Sequence, residues 1–198
     1  MGASTKVKPM KTIVRYLSFL LLLVSVACNS TDQASASVNK FSTERLITEA
    51  EINSISGDIG VEQWKLVDEF SGENALRYTF RGSSWSANPN EALNSIIKIY
   101  PGSGFQDVIA SMLDSGMLFA GAVPVNSSLS FEDEFAVYAS SAPNGQSSYD
   151  LLVSKDGLLY WASVTLGTPG GETPESIYTN NPDVIDAFLK AIITINLE

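Results

Sequence analysis

The sequence predicts an α+β domain: an antiparallel sheet with about three helices mainly on one face, closed by an amphipathic C-terminal helix. Three observations carry this. Apolar and polar residues alternate with period two at Leu76–Arg81, the mark of a half-buried strand. Asp156-Gly157 separates two strand-like runs and signals a tight hairpin. Apolar residues recur at helical spacing in Phe105–Met112 and Ile185–Ile192.

Taken in order, Arg45–Gly57 reads as a short helix, with Thr48 and Glu51 matching a capping box and Gly57 placed for a left-handed cap. Leu76, Tyr78 and Phe80 point one way along a strand, and Arg77, Thr79 and Arg81 point the other. Ser95–Tyr100 is a β-rich run ended by Pro101-Gly102. Phe105, Val108, Ile109 and Met112 form a helical stripe, with Ser103 as its expected cap and Gly116 as its stop. Phe135, Val137 and Ala139 begin another strand.

The hairpin register follows from placing Asp156-Gly157 in the loop. Val153 then faces Tyr160, Leu151 faces Ala162 and Tyr149 faces Val164, all on one oily face. The other face receives Ser154 with Leu159, Leu152 with Trp161, and Asp150 with Ser163. It is polar except for the Leu152–Leu159–Trp161 cluster. A slip of one residue would exchange the two faces. In the last helix Asn181 is placed to cap, Pro182 takes the first helical position, and Ile185, Phe188, Leu189 and Ile192 form the stripe.

Charge is distributed unevenly. Lys6, Lys8, Lys11 and Arg15 precede Cys28, and no acidic residue does. Beyond Cys28, eight basic residues stand against 22 acidic ones, a net of −14. A nucleic-acid partner is disfavoured, because such affinity rests on neutralising phosphates. The same balance would keep the body off anionic lipid.

The cationic start is followed by a mostly apolar run, Tyr16–Ala27, and then by the sole cysteine, Cys28. This is the layout of an export signal. The run is too short for a membrane span of about 20 residues. Its end, Ser25-Val26-Ala27-Cys28, resembles the lipobox of bacterial lipoproteins, with Ser25 where leucine is commonest. The resemblance implies a diacylglycerol on the Cys28 sulfur, cleavage before Cys28 and acylation of the new amine. Met10-Lys11 offers a second translation start. Residues 29–39 are rich in Ser, Ala, Thr and Asp and predict a flexible tether reaching on the order of 20 Å. The expected organisation is therefore a signal peptide at 1–27, a tether at 28–40 and one extracytoplasmic domain at 41–198. The membrane is reached through acylated Cys28, with the domain facing the periplasm or the exterior.

The chain contains no histidine, which removes Ser-His-Asp and Cys-His catalysis and histidine-based zinc sites. No S-x-x-K spacing occurs in the mature domain. Glu132, Asp133 and Glu134 lie between Phe131 and Phe135 but lack the spaced ligands of a calcium loop, so a solvated turn is expected. The glycine-rich stretches at 101–104 and 167–174 read as turns and lack the Gly-Lys-Ser/Thr of a phosphate loop. No cofactor or metal is expected. Aromatic residues supply the ligand-contact candidates: Trp161 with Leu152 and Leu159 on the hairpin, and Trp85 in the polar run Arg81–Asn90. A covering helix or loop would instead make Trp161 part of the core.

The early helix, the central strand followed by the Phe105–Met112 helix, the hairpin with Lys155-Asp156-Gly157 and the final amphipathic helix together resemble small extracytoplasmic domains of bacterial lipoproteins. These include actinobacterial sensor domains and the more distant PsbP-like fold. The resemblance implies ligand sensing or an envelope accessory role, and no catalytic residues. The expected function is thus a lipid-anchored binding module without catalysis, for a small-molecule or protein ligand. The alternatives are an envelope hydrolase using a carboxylate pair and a structural lipoprotein docked onto a membrane complex.

Overall fold

The computed structural model describes residues 41, 44–56, 59, 61–82, 92–119, 121–142, 145–167, 172–180 and 182–197. The leader, Cys28, the tether, Trp85, Gly57 and Asn181 lie outside them. The elements run α1 (Glu49–Ile55), β1 (Trp64–Ser71), β2 (Ala75–Gly82), β3 (Leu93–Ile99), α2 (Phe105–Ser115), β4 (Val123–Pro124), β5 (Phe135–Ala142), β6 (Gln146–Lys155), β7 (Leu158–Gly167), α3 (Pro174–Asn180) and α4 (Pro182–Leu197). The class is the expected one, with four helices where about three were expected.

Seven strands form one sheet in the order β1-β2-β3-β7-β6-β5-β4, every neighbouring pair antiparallel. Two meanders, β1–β3 and β4–β7, meet where β3 pairs with β7, for example Ile96 opposite Ala162. The β6–β7 register is the one derived from the sequence: Val153 faces Tyr160, Leu152 faces Trp161 and Asp150 faces Ser163. Asp156 and Gly157 hold φ of 54° and 76°, the pair of positive values that a two-residue turn matched to strand twist demands.

The first sheet face carries the main core. Leu76, Phe80, Ile96, Tyr149, Leu151, Ala162 and Val164 meet Ile185, Phe188, Leu189 and Ile192 of α4, the stripe the sequence marked out. Trp64 stacks on Phe188 with ring centroids 5.9 Å apart, and Tyr149 leans on Tyr178 of α3 at 6.1 Å. Thr48 and Glu51 form the capping box that starts the seven-residue α1. The expected Ser103 cap is not used. Gly104 occupies that position with no side-chain bond, and Gly116 ends α2 in the left-handed conformation at φ 71°.

The sheet edges are guarded differently. β4 is two residues long and includes Pro124, which donates no backbone bond. β1 is eight residues long and is met by α1 side chains. The Trp64 amide donates to Asn53 Oδ1 at 2.6 Å, and Asn53 Nδ2 donates to the Trp64 carbonyl at 3.0 Å. The Leu66 amide donates to Glu49 Oε1 at 2.8 Å. Asn53 and Glu49 lie one helical turn apart, so a single helix face imitates a neighbouring strand. Beyond Leu66 the register shifts, leaving Val67 as an extra residue.

Candidate functional site

The strands give the second sheet face its residues by alternation. Helix α2 crosses that face and buries Phe105, Ile109 and Met112 against Leu152, Leu159 and Trp161. Trp161 is 8% exposed, and Leu152 and Leu159 are more deeply buried. They form a second core, as the covered reading of the hairpin pattern has it, and not an open platform. The reason is topological. The chain must pass from β3 in the sheet centre to β4 at the far edge, and α2 is laid over this cluster as it crosses. The remaining candidate, Trp85, lies outside the described residues.

Beside this cluster the same face contains a buried carboxylate that the sequence pattern placed with the polar residues. Asp150 is 1% exposed. Trp161 Nε1 donates to its Oδ1 at 2.9 Å, and Ser148 Oγ donates to its Oδ2 at 3.3 Å. The Ser148 and Ser163 hydroxyls lie 3.3 Å apart. Burial pushes the Asp150 carboxyl above the usual range, against the lowering effect of bonds from Ser163, Trp161 and Ser148. Ser140, opposite Ser148 on β5, is buried, and its hydroxyl has no hydrogen-bond partner among the described residues. The signal for this network was present in the sequence: a lone acid and serines in register with a tryptophan on a hairpin.

A second buried carboxylate, Asp186 of α4, serves the opposite face. Tyr178 donates to its Oδ1 at 2.5 Å, and Ser127 Oγ and the Ser128 amide donate to its Oδ2 at 2.7 and 3.1 Å. The Tyr178 hydroxyl is pushed up by burial and by this carboxylate. Asp150 and Asp186 are the buried carboxylates among the described residues, and the sheet separates them. These two do not form the facing pair that a two-acid hydrolase requires. Glu132, Asp133 and Glu134 are exposed, and no group of metal-ligating side chains occurs among the described residues.

A groove of about 460 Å³ opens where the α2 amino end approaches the β6–β7 turn. Pro101–Phe105 form one wall, Ser154, Gly157 and Leu159 the other, and Val108 and Glu134 complete it. Leu159 thus links the buried cluster to the groove. A second hollow of about 400 Å³ lies between α1 and α4, lined by residues including Ile55, Ile59, Val184 and Phe188. No helix among the described residues is long and apolar enough to cross a membrane.

No protein-family model matches this chain, and no curated protein matches it. Among solved structures it is similar to the human StarD13 (DLC2) lipid transfer and protein localization domain. The identity is 10%, the match covers 75% of this chain and 96% of that one, and the TM-score is 0.26.

Proposed function

We propose that this chain is a lipid-anchored extracytoplasmic binding or accessory module that works without catalysis, held at a membrane by acylated Cys28. The export layout before Cys28 and the polar run after it support the anchor. The observation that carries the binding role is the groove between Pro101–Phe105 and the Ser154–Leu159 turn. Its volume lies in the range of small-molecule sites, and separate chain segments converge on it. Phe105, Val108 and Leu159 supply apolar floor, and Ser103, Ser154 and Glu134 supply polar rim.

Filling the groove tests this reading. Val108 is half-buried and lines it, so Val108→Trp should occupy the space with little change in folding. Native mass spectrometry of protein taken from its own membranes should show a co-purifying small molecule that the variant lacks. An equal bound mass in both proteins, or none in either, contradicts a ligand at this groove.

A further inference from the structure

On the second face the α2 cluster reaches Ile97 and Ile99 of β3, and β1, β2 and the Leu93–Ser95 end of β3 lie beyond it with a composition unlike the rest of the domain. Register puts Lys65, Asp68 and Phe70 of β1, Arg77, Thr79 and Arg81 of β2, and Leu93 and Ser95 of β3 on that side. Phe70 is 46% exposed and Leu93 36%, and Val67 at the β1 bulge is 48% exposed. With Leu113 of α2, which packs on the same face, these are the exposed large apolar residues among those described. Three of the eight basic residues that follow Cys28 also gather here. Arg77 donates to Asp68 at 2.6 Å, and its guanidinium lies 5.8 Å from the centre of the Phe70 ring. Asp68 is the acid set among them on this face.

We infer that this side of the face is a contact surface for anionic lipid, laying the domain against the membrane that holds its anchor. The inference rests on the anchored reading above. Charge complementarity selects the occupant: a net-acidic body has gathered cations around exposed apolar side chains, the pattern that suits a negatively charged interface. Each Lys or Arg near such a surface is attracted to it, and the long side chains can rest their stems on apolar surface while the heads meet phosphate. Alone this is weak. A tether reaching on the order of 20 Å keeps the surface at high local concentration, so a weak patch suffices. The acidic remainder of the body is repelled, which favours one orientation over tumbling.

The test uses the acylated mature chain carrying Thr79→Cys on the patch or Thr194→Cys on the exposed side of α4. Each is labelled with an environment-sensitive maleimide dye and reconstituted into phosphatidylcholine vesicles, with or without phosphatidylglycerol. Because Cys28 is the sole native cysteine, one dye per chain reports an acylated Cys28, and two dyes report that the anchor itself has failed. With one dye per chain, emission at position 79 should shift to the blue and be shielded from iodide only on the anionic vesicles. Position 194 should stay accessible. The shift should vanish at 1 M salt, where screening acts over about 3 Å, and in Lys65→Glu/Arg81→Glu. Equal quenching at position 79 on both vesicles overturns the proposal. Shielding that needs no vesicles and grows with protein concentration also overturns it, because a second copy would then be the occupant.

Discussion

Asp150 shows how one side chain can set a pH dependence for the whole fold. Its carboxyl is buried, so the folded chain holds that proton more tightly than the unfolded chain does. Stability from this site is therefore greatest below the ordinary carboxylate pKa. It is lost as pH rises through the window between that value and the raised one. Asp150→Asn removes the charge and keeps an acceptor for Trp161 and a donor for Ser148. The variant should be more stable than the native chain at neutral pH, with the gap closing as pH falls below about 4. Urea titrations across that range check it, and a gap that widens in acid contradicts the account. Trp161→Phe withdraws the Nε1 donor and should cost about 1–3 kcal/mol, the penalty for stranding a buried polar partner. Placed on Asp150→Asn, the same change should cost less.

At the scale of elements, the edge strand supplies the clearest test. Asn53 both accepts from and donates to the Trp64 backbone, so Asn53→Ala releases two main-chain groups at once. The expected loss is about 1–3 kcal/mol, accompanied by slow self-association through the bared β1 edge, read by light scattering. An unchanged denaturation midpoint would show that α1 does not guard the edge.

Most elements were legible because local chemistry fixed them. The Thr48–Glu51 box, the Asp156-Gly157 turn with its register, and the α4 stripe each depend on residues within a few positions of one another. What escaped depended on distant chain. β1 has an irregular pattern because α1 covers its edge and a bulge breaks its alternation. The two-residue β4 is too short to carry a period. Helix α3 has a local start, the Ser176 amide donating to the Thr173 hydroxyl, but at seven residues it is too short to carry a stripe, and Tyr178 seats it on Asp186 and Tyr149. The candidate site was half legible for the same reason: pairing put Trp161, Leu152 and Leu159 together, but only topology places α2 over them.

For the whole molecule, the sheet joins two meanders through the β3–β7 pairing, and the helices divide its faces unequally. One face is sealed by α1, α3 and α4. The other is covered by α2 over the Leu152–Leu159–Trp161 cluster and the Ile97–Ile99 end of β3, while Val67, Phe70 and Leu93 on the β1–β3 side are exposed, and a groove opens at the amino end of α2. Phe41, the first described residue, is buried and stacked 4.9 Å from Tyr100, with the Lys98 ammonium 5.7 Å from its ring. Lys98 is in turn paired with Glu44. Phe41 is thus fixed against the chain that follows β3. That arrangement suits a domain held from its amino end, and the groove and lipid-contact proposals both presuppose such an anchor.

The most direct measurement is the intact mass and amino-terminal peptide mass of the protein recovered from bacterial membranes. The account predicts a chain beginning at Cys28 and carrying a diacylglycerol on sulfur and an acyl group on the amine. A chain that retains residues 1–27, or begins at an unmodified Cys28, would contradict it.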